Sequence, residues 1–186
     1  MSKRMGTDYK VNSIAFGSGK EDKIKGFLYD KTIDIAVWKE KIVGGIAVKF
    51  ITSNYKQNSN NYFENMIGET FNIRAYNVPY FHVIIINYPV PYLSKGGDIE
   101  RYDYMSDSDF SKYRILNGMN LQQYGVPDLL FIKLLTLRRD SDKVNIKRVN
   151  IEGLDLSESN KDFYSKHSSV DIFLDRVKES ISSIHG

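Results

Sequence analysis

Residues 44–69, GGIAVKFITSNYKQNSNNYFENMIGE, begin as a buried strand, place one lysine in it, and pass through asparagines into a helical pattern carrying two glutamates. Residues 42–51 (IVGGIAVKFI) read as that strand. The segment before it, 27–38 (FLYDKTIDIAVW), alternates, with Ile33, Ile35 and Val37 on one face, and reads as a half-buried strand. The connector Lys39-Glu40-Lys41 is short, so the two strands are expected to pair as an antiparallel hairpin. From 60 to 76 the period lengthens, and Phe63, Met66, Ile67, Thr70, Phe71 and Arg74 share one helical stripe. Residues 78–87 (VPYFHVIIIN) are continuously apolar, as in a strand covered on both faces.

Residues 88–125 are rich in Tyr, Asp, Ser and Gly and read as loops with one or two short elements. Residues 127–137 (PDLLFIKLLTL) fit either a strand or a helix. In the tail, Val170, Phe173, Leu174, Val177 and Ile181 fall at helical spacing behind a Ser168/Asp171 capping box. This order describes an α/β fold, a mixed β-sheet flanked by helices. With 186 residues, 41% of them hydrophobic, residues 1–186 are expected to form a single domain around one core.

Composition narrows the setting. The chain has no cysteine, its first residues lack the apolar core of a signal peptide, and no window approaches the roughly 18 apolar residues of a membrane span. A cytoplasmic protein is the expectation. Residues 1–56 carry eleven Lys/Arg against six Asp/Glu, which suits either an anionic partner or a solvated basic surface.

Lys49 raises the chemical question. An ammonium within a buried strand has to be paired or reach water, since desolvating it alone costs several kcal/mol or more. In the expected hairpin the best placed acid is Asp34. On the following helix, Glu64 lies about a right angle from the centre of the apolar stripe and can lean over the sheet edge, while Glu69 lies farther round, toward solvent. Carboxylates converging with a lysine suit Mg²⁺, which polarises a phosphate oxygen while the lysine orients or helps deprotonate a water.

The order Asp34, hairpin, Lys49, helical Glu64 resembles the PD-(D/E)XK nuclease superfamily, and within it the type II restriction endonucleases. The usual form has Pro-Asp on one strand and Glu/Asp-X-Lys on the next. Here Ile33 stands at the proline position and Ala47 at the second acid position. A variation in that superfamily carries the acid on the following helix, which Glu64, fifteen residues after Lys49, matches. The wording of VKFITSNYKQNSNNYFENMIGETFNIR is also similar to restriction endonuclease segments, and the resemblance covers residues 20–87. It implies a restriction-endonuclease-like fold and Mg²⁺ held by Asp34, Glu64 and the Val48 backbone carbonyl, with Lys49 serving the attacking water. It further implies double-stranded DNA as substrate and a homodimer matched to a palindrome, with Glu21 as a further metal-ligand candidate. The rival readings are a non-catalytic DNA-binding or assembly module of nuclease-like fold, and a domain in which Asp34–Lys49 is a structural ion pair.

Other motifs carry less. In FGSGKED (16–22) the phosphate-loop pattern fails, because Glu21 occupies the Ser/Thr position and Ile14 the first glycine position. His82, His167 and His185 have no ligand-like spacing. The asparagines between 54 and 72 suit contacts to phosphates and adenine edges, or caps and turns. Arg138, Arg139, Lys143, Lys147 and Arg148 form a basic stretch, read as a DNA-contacting loop or a solvated face.

Overall fold

The computed structural model describes residues 1, 5–119, 125–140 and 143–185. In chain order the strands are β1 (Lys10–Ser13), β2 (Asp22–Ile24), β3 (Lys31–Ile33), β4 (Ile35–Trp38), β5 (Ile42–Ile51), β6 (Tyr80–Asn87), β7 (Val90–Leu93), β8 (Ile99–Asp103), β9 (Leu129–Asp140) and β10 (Lys143–Arg148). The helices are α1 (Tyr55–Arg74), α2 (Asp107–Gly118), α3 (Glu158–His167) and α4 (Val170–His185). A six-stranded mixed sheet has the order β1-β4-β5-β6-β9-β10, and β2-β3 and β7-β8 form two small hairpins.

The centre of the sheet is parallel. β6 pairs with β5 on one side and β9 on the other, both parallel, while the outer pairings β1–β4, β4–β5 and β9–β10 are antiparallel. A strand between two parallel neighbours is covered by crossover helices, which explains the unbroken apolar run of β6. Ile46, Phe81, Leu129 and Phe131 pack on one face against Phe173, Val177 and Ile181 of α4. Ile51, Ile84, Ile86, Leu130 and Ile132 pack on the other against Met66 of α1, Phe110 and Tyr113 of α2 and Phe163 of α3. Gly44 lets α4 approach, since a Cβ there would lie 2.6 Å from Ile181 Cδ1. No helix among the described residues is long and apolar enough to cross a membrane.

Several elements differ from the sequence expectation. Residues 27–38 are not one strand. A bend at Asp34 separates β3, which pairs with β2, from β4, which pairs with β1 and β5. Ile33 therefore packs with Ile24, Ile73 and Tyr80, while Ile35 and Val37 pack on the α4 side. Helix α1 starts at Tyr55, earlier than its stripe suggests, because Asn54 turns the chain at φ 54° and its Oδ1 accepts the Leu93 N–H at 2.7 Å. Residues 88–125 contain the β7–β8 hairpin and α2, whose first turn is closed by a Ser106/Asp109 capping box. The 127–137 run resolves as strand β9. At α4 it is Ser169, not Ser168, whose hydroxyl accepts from the first turn, from Ile172 N–H at 3.5 Å. The basic stretch lies on a hairpin instead of a loop, and β10 is an exposed edge strand three places from β5.

Candidate active site

The antiparallel pairing of β4 with β5 begins at Ile35↔Ile46, whereas β5 runs on to Ile51. Beyond Ile46 the β4 side of β5 is thus left without its strand partner. Asp34, at the bend just before β4, takes that place, and its Oδ2 accepts the Val48 N–H at 2.7 Å. The N–H and C=O of one strand residue point to the same side, so the Val48 carbonyl opens into the same space. Around it lies a cleft of about 220 Å³ between the end of β5 and α1, and Asp34, Val48, Lys49 and Glu69 line it.

Lys49 is exposed, because it lies past the part of β5 that β4 covers, near the end of the strand, although β5 still pairs there with β6 through Lys49↔Ile84. Its ammonium reaches water and sits over the Tyr62 ring, 5.3 Å from the centroid. The expected Asp34–Lys49 ion pair is therefore replaced by two separate contacts, Asp34 to Val48 and Lys49 to Tyr62, within one cleft.

The helix brings in a different acid from the one expected. The buried side chains of α1 are Tyr55, Ser59, Met66, Thr70, Asn72 and Ile73. At 100° per residue their centre is rotated roughly 75° from a stripe centred on Phe63, Ile67 and Thr70. Glu64 then lies on the far side of the helix, exposed, on a groove with Ile67 and Lys112. Glu69 lies about 50° from the buried centre and enters the cleft. The phase was misleading because Ile67 and Phe71 are apolar yet 43% and 39% exposed, with Phe71 edge-on to Phe27 at 6.3 Å, while Ser59, Thr70 and Asn72 are buried. The signal for the true phase was the aromatic and aliphatic series Tyr55, Tyr62, Met66, Ile73.

Glu69 is held by two partners. Its Oε1 is 2.6 Å from Lys31 Nζ, and its Oε2 accepts from the Tyr80 hydroxyl at 3.5 Å. Burial, then the charges of Glu69 and Asp34, push the Tyr80 phenol above its usual range, so it remains a neutral donor. Both carboxylates thus act on one hydroxyl. Lys31 and Tyr80 went unnoticed in the sequence, where nothing but proximity to Asp34 marks the lysine. Glu21 does not join this group. It is exposed, and the neighbouring Asp22 is used structurally, accepting from Asn12 Nδ2 at 3.0 Å and Trp38 Nε1 at 2.8 Å. Of the asparagines, Asn65 lines the cleft, whereas Asn54 and Asn72 bind backbone.

Behind Glu69 the floor is His82. Thr70 Oγ1 donates its one hydrogen to the Met66 carbonyl at 2.6 Å, so His82 Nε2, 2.9 Å away, carries the proton and donates to Thr70. Burial, with a contribution from the Lys31 charge, lowers the imidazole pKa to about 3. The folded protein therefore keeps His82 neutral while the unfolded chain protonates it below about 6.5. Stability is complete above that pH and is lost as pH falls from 6.5 toward 3. At pH 4.5 the loss from this group is about 2–3 kcal/mol. Urea unfolding at pH 7.5 and 4.5 is expected to show that much more acid loss in the wild type than in His82→Gln. Equal losses would mean the ring is not buried in its neutral form.

Among the described residues, no group of three or more His, Cys, Asp or Glu is gathered closely enough to hold a metal ion. The cleft offers Asp34, Glu69 and the Val48 carbonyl. All are oxygen donors, and Mg²⁺ is commonly held by one or two carboxylates with waters and phosphate oxygens completing its octahedron. The donor set fits that ion. No family model matches the chain, and no curated protein or solved structure matches it.

Proposed function

We propose that the protein is a Mg²⁺-dependent endonuclease that hydrolyses phosphodiester bonds of double-stranded DNA, a type II restriction enzyme in which Asp34, Glu69, Val48 and Lys49 form the active site. The observation that carries this reading is that Asp34, Lys49 and Glu69 line one cleft at the open end of the β4–β5 hairpin. That is the order Asp, hairpin, strand Lys, helix Glu of the PD-(D/E)XK resemblance, with Glu69 taking the role first expected of Glu64. When bound, Mg²⁺ would polarise the phosphate and lower the pKa of a water.

The chain's own residues divide the remaining work. Asp34 and Glu69, with the Val48 carbonyl, fix where the ion sits. Lys49 points its donors at the attacking water and the charge that develops on phosphorus. Tyr80 keeps Glu69 turned into the cleft. The basic excess of residues 1–56 supports DNA as the partner, and a homodimer in the cytoplasm fits a palindromic substrate.

The test is incubation of the purified protein with phage DNA, with Mg²⁺ and with a chelator. Discrete fragments are expected with Mg²⁺ and none with the chelator. DNA that is bound but never nicked under Mg²⁺, Mn²⁺ or Co²⁺ would replace the enzyme reading with the DNA-binding module.

A further inference from the structure

The cleft contains one contact that competes with metal binding. Lys31 Nζ lies 2.6 Å from Glu69 Oε1, with the two side chains 30% and 26% exposed, and an ammonium this close occupies one lone pair of that oxygen and repels a divalent cation approaching the carboxylate. The contact is built in. The loop before Lys31 is pinned to α1 by the buried Asn72, whose Oδ1 accepts Leu28 N–H at 2.8 Å and Tyr29 N–H at 3.3 Å and whose Nδ2 donates to the Tyr29 carbonyl at 2.8 Å. Gly26 is required there, because a Cβ would overlap the Asn72 side chain and the Tyr29 carbonyl. Asn72 is three residues after Glu69 on the same helix, so pinning the loop sets Lys31 opposite Glu69.

The charge balance gives this contact a consequence. The cleft's Lys31 and Lys49 offset Asp34 and Glu69, so a dication alone would enter a site with no net negative charge. A phosphodiester supplies the missing negative charge and a new partner for the displaced ammonium. We infer that Lys31 is an exchangeable counter-ion, paired with Glu69 until the metal and a DNA phosphate enter together, when it moves to the phosphate. Lys31 is then a positioning residue that couples metal binding to DNA binding. This rests on the proposed metal site at Asp34 and Glu69.

Mn²⁺ binding to the full chain, followed by electron paramagnetic resonance, tests the coupling without any cleavage. Without DNA, wild type is expected to bind Mn²⁺ weakly and Lys31→Met roughly tenfold more tightly, because a competing and repelling ammonium is gone. Lys31→Arg is expected to remain like wild type. Sheared duplex DNA is expected to tighten Mn²⁺ binding by wild type at least tenfold and to tighten Lys31→Met much less. A Lys31→Met protein, or a second variant Lys31→Gln, that binds Mn²⁺ no more tightly than wild type would overturn the exchange and leave the pair a fixed structural one. The metal site itself is checked separately: if Asp34→Asn and Glu69→Gln bind Mn²⁺ as wild type does, the proposed site fails, whatever Lys31 does.

Discussion

Glu69→Ala is expected to lower Mg²⁺-dependent DNA cleavage roughly 10²–10³-fold, the several kcal/mol that a metal ligand contributes to charge stabilisation, while Glu64→Ala stays within about twofold. The contrast follows from helix phase. The two glutamates are five residues apart, so they lie about 140° apart around α1, and one cleft cannot receive both. Glu69 faces Lys31 and Tyr80 in the cleft, and Glu64 faces solvent beside Lys112. Restoring the ordinary motif sharpens the test. Ala47 lines the cleft two residues before Lys49, hence on the same face of β5. Ala47→Glu added to Glu69→Ala is expected to recover part of the lost cleavage, with recovery limited because Lys31 and Tyr80 are arranged around a carboxylate arriving from the helix. Fragment yield over time on phage DNA measures all three variants. Loss in Glu64→Ala with full activity in Glu69→Ala would refute this placement.

The parts of the fold that were legible in the sequence are those where one local period matches one environment. β6 was legible because a strand covered on both faces has no polar side, and α4 because Phe173, Val177 and Ile181 repeat on its buried face. Period could not report the bend at Asp34. Ile33 and Ile35 keep their alternation across it, yet they enter different clusters, because the chain changes sheets between them. The same limit applies to α1. Its apolar residues form two stripes, one buried against the sheet and one holding Ile67 and Phe71 at the surface, and a hydrophobic count cannot say which faces inward. Asp34 and Lys49 were legible as residues of one cleft because the β4–β5 hairpin brings the bend before β4 beside β5, although they do not pair with each other. The partner of Glu69 was not, since Lys31 is brought opposite it by a loop pinned through Asn72, a long-range contact with no local signature.

Lys49→Ala is expected to reduce the cleavage rate by roughly 10²–10⁴-fold, the range for a side chain acting on the transferred proton or the charge that develops. DNA affinity is expected to change by at most one phosphate contact, a change in log–log salt slope of about 0.9. The asymmetry follows from the surroundings of Lys49. Its ammonium is exposed in the cleft over Tyr62, so it adds little to the packing of the folded chain, and its removal would empty the position proposed to face the attacking water without disturbing the Asp34 bond to Val48 N–H. Lys49→Arg separates its two roles. An ammonium has three donors and no acceptor, and arginine keeps the charge and the donors but cannot give up a proton. A role in orienting the water and stabilising charge leaves Lys49→Arg well above Lys49→Ala, whereas a role in proton removal leaves both equally inactive. Single-turnover cleavage and filter binding at several salt concentrations read the two quantities separately. A Lys49→Ala protein that cleaves within a few-fold of wild type would remove Lys49 from the site and leave Lys31 as the only cleft ammonium able to serve the water among the described residues.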